Sequence, residues 1–276
     1  MSPEFPTFWG EFVNRIDKTF ADLKTKKKTA FVAFITAGDV KAGEPIIETV
    51  KIMHSLVKGG ADIIELGVPF SDPSADGPTI QQSNERALSY DTSIEDVMVM
   101  VEEFRRSNKK VPIILMGYIN PIENFGFKEF TELANVAGVD GLITVDLPPE
   151  EAVEYNQYLA DLNILPIYLV APTTTEKRIK IITQQAKGFI YYVSVKGVTG
   201  SKKLDIADVK SHVAKIRQYT NLPIGIGFGI KDRESVQNVS EFADAVVVGS
   251  AIVDKIQSTE SNVKSELVQF ISQLCH

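Results

Sequence analysis

Short apolar runs alternate along this chain with segments of helical spacing. Eight runs rich in Val, Ile, Phe and Tyr read as strands: Ala30–Thr36, Asp62–Leu66, Pro112–Met116, Gly141–Val145, Leu165–Val170, Phe189–Ser194, Pro223–Gly227 and Ala245–Val248. Most are too uniformly apolar to alternate, the pattern of a parallel sheet buried on both faces. The segments between them carry one apolar face each. Ile46, Ile47, Val50, Met53, His54 and Val57 form one such stripe. Val97, Met100, Val101 and Phe104 form a second; Phe127, Phe130, Leu133 and Ala134 a third; Ile179, Ile182 and Ala186 a fourth. Gly59-Gly60, Gly138 and Gly188 stand where such helices would end.

Eight strands alternating with helices over roughly 250 residues predict the α/β class and a (β/α)8 TIM barrel. An extra N-terminal helix is expected over Phe8–Leu23, where Phe8, Phe12, Ile16, Phe20 and Leu23 make one stripe that would cap the closed end of the barrel. No linker interrupts the chain, so residues 1–276 are expected to form one domain. The alternative is an open doubly wound sheet. Its glycine fingerprint is absent after the first strand, where Thr36-Ala37-Gly38-Asp39 stands instead.

Charge and cysteine content narrow the function. The net charge of −7 argues against a nucleic-acid partner, yet leaves room for a phosphorylated substrate held by backbone amides. The basic run Lys24–Lys28 reads as a solvated helix end. Cys275 is the single cysteine, so neither an intrachain disulfide nor a thiolate metal cluster is expected. No apolar run is long enough to span a membrane, and the first residues lack the regions of a signal peptide, so a cytoplasmic protein is expected.

In such barrels the chemistry sits at the C-terminal ends of the strands. Glu65 ends the second strand, and Asp76 returns after a loop that Gly67, Pro69, Pro73, Gly77 and Pro78 keep from being helical. Two carboxyls at one barrel mouth suit proton transfer at two points of a small substrate. Each also has a plainer reading: Glu65 as a structural ion pair, Asp76 as a turn or cap residue. Asp72, before Pro73, reads as a turn former. A Mg²⁺ site built from the three acids is an alternative that the phosphate signal makes unnecessary, and no metal is expected.

That phosphate signal comes from Gly197-Val198-Thr199-Gly200, Gly227-Phe228-Gly229 and Gly249-Ser250. Gly249-Ser250 opens a short helix whose free amides would face an anion. Read as structure alone, these glycines are tight turns. No histidine stands at a strand end, and no lysine occupies an interior strand position where a Schiff base would form.

Glu65-Leu66-Gly67-Val68-Pro69-Phe70-Ser71-Asp72-Pro73-Ser74-Ala75-Asp76-Gly77-Pro78 resembles the signature of the tryptophan synthase α-subunit family. Leu115–Pro121, Asp146-Leu147-Pro148, the three glycine motifs above and Gly249–Val253 follow in the family's order, so the resemblance covers essentially the whole chain. It implies a lyase that cleaves indole-3-glycerol phosphate to indole and glyceraldehyde 3-phosphate by a retro-aldol reaction. Glu65 and Asp76 match the family's catalytic residues. Phe34, Tyr118 and Tyr191 match positions lining the indole pocket. The resemblance implies that the phosphate rests on amides at Gly200, Gly229, Gly249 and Ser250, with Thr199, Gly227 and Phe228 as further substrate-binding residues. The resemblance also implies a β-subunit partner in an α2β2 assembly. Pyridoxal phosphate would belong to that partner, with no cofactor in this chain.

Four residues at three places depart from the family's pattern: Ser74, Gly117 and Val195-Lys196. Ser74 and Val195-Lys196 fall in loops that the resemblance assigns to communication with the partner. A free subunit, a piece of a fused α–β enzyme, a stand-alone indole-producing lyase and a mainly regulatory α-like subunit all stay open at this stage.

Overall fold

The computed structural model describes residues 13–194, 205–227 and 229–275. Its sheet comprises β1 Ala30–Thr36, β2 Ile63–Gly67, β3 Ile113–Gly117, β4 Gly141–Thr144, β5 Leu165–Pro166, β6 Tyr168–Val170, β7 Ile190–Val193, β8 Ile224–Gly227 and β9 Ala245–Val248. Every pairing is parallel, in the order β5-β4-β3-β2-β1-β9-β8-β7-β6.

β5 and β6 are two halves of the single strand expected over 165–170. Pro166 has no amide to extend the ladder, and the strand divides there. The first half pairs with β4 and the second with β7. Ile167 bridges them, its amide donating to Leu142 O at 2.9 Å. The two ends of the sheet therefore meet, and the barrel closes on the eight strand positions read from the sequence. The other strand boundaries move by a residue or so from expectation.

The helices are α1 Arg15–Thr25, α2 Pro45–Gly59, α3 Pro78–Leu88, α4 Ile94–Ser107, α5 Ile119–Phe125, α6 Phe127–Ala137, α7 Val153–Asp161, α8 Glu176–Gln185, α9 Ile206–Ile216, α10 Arg233–Ser240, α11 Ser250–Ser258 and α12 Val263–Cys275. None of them is long and apolar enough to cross a membrane, among the described residues.

The two-residue period of the strands sorts the core into two clusters. Ala30, Val32, Ile63, Ile114, Phe189, Tyr191, Ala245 and Val247 fill the barrel interior. Phe31, Ala33, Ile35, Ile64 and Leu66 belong to the larger cluster shared with the helices outside. Ile16, Phe20 and Leu23 of α1 join the inner cluster, so this helix floors the barrel as expected. It starts later than the stripe suggested because Asn14 caps it, accepting from the Ile16 amide at 2.8 Å. Phe8 and Phe12 lie outside the described residues.

One stripe needs correction. On α2 the buried residues are Thr49, Ile52, Met53, Ser55, Leu56 and Gly59, whereas Ile47 is 51% exposed and His54 is half-buried against Phe104. Contact with α12 sets this rotation. A Cβ on Gly59 would fall 2.6 Å from Ile271 Cβ, so only glycine lets the two helices approach this closely there.

Asp140 ties the floor together. Its Oδ1 accepts from Arg15 Nη1 at 2.7 Å, and its Oδ2 accepts from Arg105 Nη2 at 2.7 Å and the Ile113 amide at 2.8 Å. Asn14 donates to the Asp140 and Asn163 carbonyls at 2.9 and 2.8 Å. Arg105 is as deeply buried as Asp140, but the Arg15 side chain is 35% exposed. Asp140→Ala is therefore expected to cost about 3–5 kcal/mol, the range for stranding a buried charge. Arg15→Ala should cost about 1 kcal/mol or less, as for exposed pairs. Equilibrium urea unfolding distinguishes the two; equal costs would remove Asp140 from this role.

Candidate active site

The register of β1, β2 and β3 sets Phe34, Glu65 and Ile114 side by side. Glu65 is an inward position one step above Ile63, so its carboxyl enters the barrel mouth above a layer of aliphatic side chains. It is fully buried. Neither carboxyl oxygen has a hydrogen-bond partner among the described residues. Burial, and secondarily the charge of Asp76, pushes its pKa up to about 8.

Asp76 sits in the loop after β2. Its amide donates to Pro73 O at 3.0 Å, and Gly77 and Pro78 start α3 directly after it. Unlike Glu65, it is supported. The Tyr118 hydroxyl hydrogen-bonds its carboxylate and also accepts from the Ala75 amide at 3.1 Å. Asn84 Nδ2 approaches Asp76 Oδ2 at 3.4 Å, and Gln81 Nε2 donates to its carbonyl at 2.9 Å. Burial raises the Asp76 pKa to about 6, with the Tyr118 and Asn84 hydrogen bonds acting against that rise.

The two carboxyls share a cavity of about 590 Å³ at the C-terminal ends of the strands. Phe34, Tyr191, Gly229, Gly249 and Ser250 line it. Gly249 offers no side chain to cap α11, so the first amides of that helix are left for a ligand. Gly229 has φ +75° with open space where a Cβ would be, which brings bare backbone to the same end.

Tyr118 and Gly227 are not among the residues that line this cavity. Tyr118 stands behind Asp76 and holds its loop, its ring tilted 31° against Phe70 at 5.3 Å between centroids. Gly227 makes room for Tyr191: a Cβ there would fall 2.4 Å from the Tyr191 hydroxyl. Gly67 does the same for Phe34, whose ring lies 2.8 Å from the point a Cβ would occupy. Thr199, Gly200 and Phe228 lie outside the described residues, as do Val195-Lys196 and the glycines at 197 and 200.

Asp72 is exposed in the turn after Ser71, and Ser71 Oγ donates to its Oδ2 at 2.5 Å. Among the described residues, no three His, Cys, Asp or Glu side chains are grouped to hold a metal.

Sequence reasoning missed Asn84, Met116, Thr79 and Ile80. Met116 is the next inward position of β3 after Ile114, a period-two signal that was present. Asn84 could have been found as a polar residue on the buried face of α3, beside Ser83 and Ala87.

The burial of Glu65 has a stability consequence. An unfolded chain releases this proton near 4.5, while the folded chain keeps it to about 8. The unfolded state thus binds fewer protons between these values, and native stability falls by up to about 1.4 kcal/mol per pH unit there. Glu65→Gln removes that slope. The variant is expected to gain on the native chain as pH rises from 5 to 8 in urea unfolding. An unchanged difference across that range would mean that Glu65 is ionised when folded.

Comparison with known proteins fits this geometry. The family model described as "Tryptophan synthase alpha chain" matches residues 20–275. A tryptophan synthase alpha chain from Nitrosomonas europaea is 51% identical over 245 residues, 89% of this chain and 88% of that one. The crystal structure of tryptophan synthase subunit alpha from Legionella pneumophila superposes with a TM-score of 0.87 at 41% identity, covering 95% of this chain and 97% of the other. A structure of Mycobacterium tuberculosis tryptophan synthase superposes with a TM-score of 0.85 at 30% identity, over 95% of this chain and 97% of that one. The chain belongs to the tryptophan synthase alpha chain family, whose members are lyases that cleave indole-3-glycerol phosphate.

Proposed function

We propose that Glu65 and Asp76 divide the work of this lyase reaction, with Glu65 as acid and then base and Asp76 as the resident anion. One observation carries the reading: a fully buried carboxyl with no partner among the described residues shares a cavity with a supported carboxyl and an uncapped helix end. Environment pushes the two acids to different tasks at the same pH.

The substrate's indole lies in the apolar part of the cavity, against Phe34, Met116 and Tyr191. Its phosphate lies at Gly229, Gly249 and Ser250. Glu65, protonated at neutral pH, gives its proton to indole C3. The ring becomes an indolenine cation whose N–H donates to Asp76. The resulting Glu65 carboxylate then takes the proton from the hydroxyl on the glycerol carbon bonded to C3. That oxygen becomes the aldehyde carbonyl of glyceraldehyde 3-phosphate. The electrons of the breaking carbon–carbon bond return to the ring and neutralise the iminium, leaving indole. Proton count and charge close over the cycle, and Glu65 ends protonated as it began.

The family relationship supports a β-subunit partner that consumes the indole; an α2β2 assembly, with pyridoxal phosphate held by the β subunit, is the form proposed here. This chain's own steps involve only carboxyl chemistry and backbone amides.

Glu65→Gln should lower turnover by at least about 10²-fold with substrate binding largely kept, as for a positioned acid–base group. Near-normal indole release from that variant would remove Glu65 from the chemistry. Asp76→Asn should also slow the reaction, and retained activity would leave Asp76 a loop-shaping residue. For the native chain, kcat/KM should rise through about 6 as Asp76 ionises and fall through about 8 as Glu65 loses its proton. The two limbs belong to the coupled pair. Indole release measured with and without a tryptophan synthase β subunit tests the partnership: a large gain supports it, and fast turnover unaffected by β would mark a stand-alone lyase.

A further inference from the structure

Asp39 lies outside the cavity, yet its contacts reach both of its ends. It sits in the turn after β1, where Gly38 has φ +80° and the Asp39 amide donates to Thr36 O at 3.2 Å. Only 4% of the residue is exposed. Its carboxylate accepts a two-pronged bond from Arg86, with Nε to Oδ1 at 2.7 Å and Nη2 to Oδ2 at 2.9 Å. Oδ1 also accepts from Gln257 Nε2 at 2.9 Å.

These two partners belong to different walls of the site. Arg86 is on α3, two residues beyond Asn84, which reaches the Asp76 carboxylate. Ser83 of the same helix meets Thr36 Oγ1 at 2.6 Å, at the end of β1. Gln257 is on α11, whose other end presents Gly249 and Ser250 to the cavity. Lys41, from the same turn as Asp39, donates to the carbonyls of Gln257 and Thr259 at 2.9 and 2.8 Å. A short helix moves as a rod, so holding the far end of α11 aims its amide end.

We propose that Asp39 is a positioning residue that clamps α3 to α11 and thereby fixes the distance between Asp76 and the phosphate end of the site. The inference rests on the lyase reading above. A planar bidentate pair suits the task because it fixes orientation as well as distance. Misplacement of reacting groups by about 1 Å can cost 10²-fold in rate, so a clamp remote from the chemistry has measurable leverage.

The two arms have separable effects. Arg86→Lys keeps the charge and loses the fork, which loosens α3 and with it Asn84 and Asp76. It should lower kcat about tenfold while moving KM less than about twofold. Gln257→Ala leaves the ion pair intact and removes the side-chain tie between Asp39 and the far end of α11, with the Lys41 bonds to the Gln257 and Thr259 carbonyls kept. It should raise KM for indole-3-glycerol phosphate about fivefold, with kcat within about twofold. Inorganic phosphate, used as the probe of the anion end by calorimetry, should bind Gln257→Ala more weakly and Arg86→Lys as it binds the native chain.

This split supports the clamp. Native constants in both variants, or the same loss of kcat and KM in both, would overturn it, since a merely structural residue gives no division between the arms. Phosphate binding needs no turnover. If the native chain fails to cleave the substrate, the lyase reading falls while the calorimetry still decides the Gln257 arm.

Discussion

The structure turns on one carboxyl held where water cannot reach it. A charged group without partners in an apolar interior is costly, and the group responds by keeping its proton. Glu65 is in that position, above the aliphatic layer of the barrel and beside Phe34 in register. Everything that keeps the mouth dry serves this end. Gly67 admits the ring of Phe34, and Gly227 lets Tyr191 lie across the barrel from β7. The floor is closed from below by α1, whose Ile16, Phe20 and Leu23 pack into the same interior. A barrel left open at that end would hydrate the inner cluster and relax the pressure on the carboxyl.

Asp76 shows the contrasting solution. It is also partly buried, but Tyr118 and Asn84 give its carboxylate hydrogen bonds that Glu65 lacks among the described residues. Burial raises both acids of the one cavity, Glu65 to about 8 and Asp76 only to about 6, where its partners act against the rise. Tyr118 matters here as a support of the loop, through the Ala75 amide and Asp76, more than as a wall of the cavity. Asp39 extends the same logic outward: the helix after the acid's loop and the helix at the phosphate end share its one buried carboxylate.

Much of this was legible before any coordinates. The apolar runs place the strands within a residue or so, because a parallel sheet buried on both faces tolerates few polar residues and so marks its own limits. Glu65 and Asp76 were singled out by their position after a strand and by the glycines and prolines between them. What escaped depends on contacts between distant segments. The rotation of α2 follows from Gly59 meeting Ile271 of α12, and no periodicity within α2 contains that contact. Gly227 looked like a ligand-approach glycine, whereas its local role is to leave space for a tyrosine from the adjacent strand. Asp39 gains its partners only when α3 and α11 come together.

The most direct test is to follow the Glu65 carboxyl itself. Carbon-13 NMR of protein labelled at glutamate carboxyls, with Glu65→Gln assigning the resonance, would track its ionisation from pH 4 to 10. A midpoint near 8 is the expected result, with the carboxyl protonated throughout the neutral range. A midpoint near the ordinary 4.5 would contradict it: Glu65 would then be charged when substrate arrives, and the proton for indole C3 would have to come from another group.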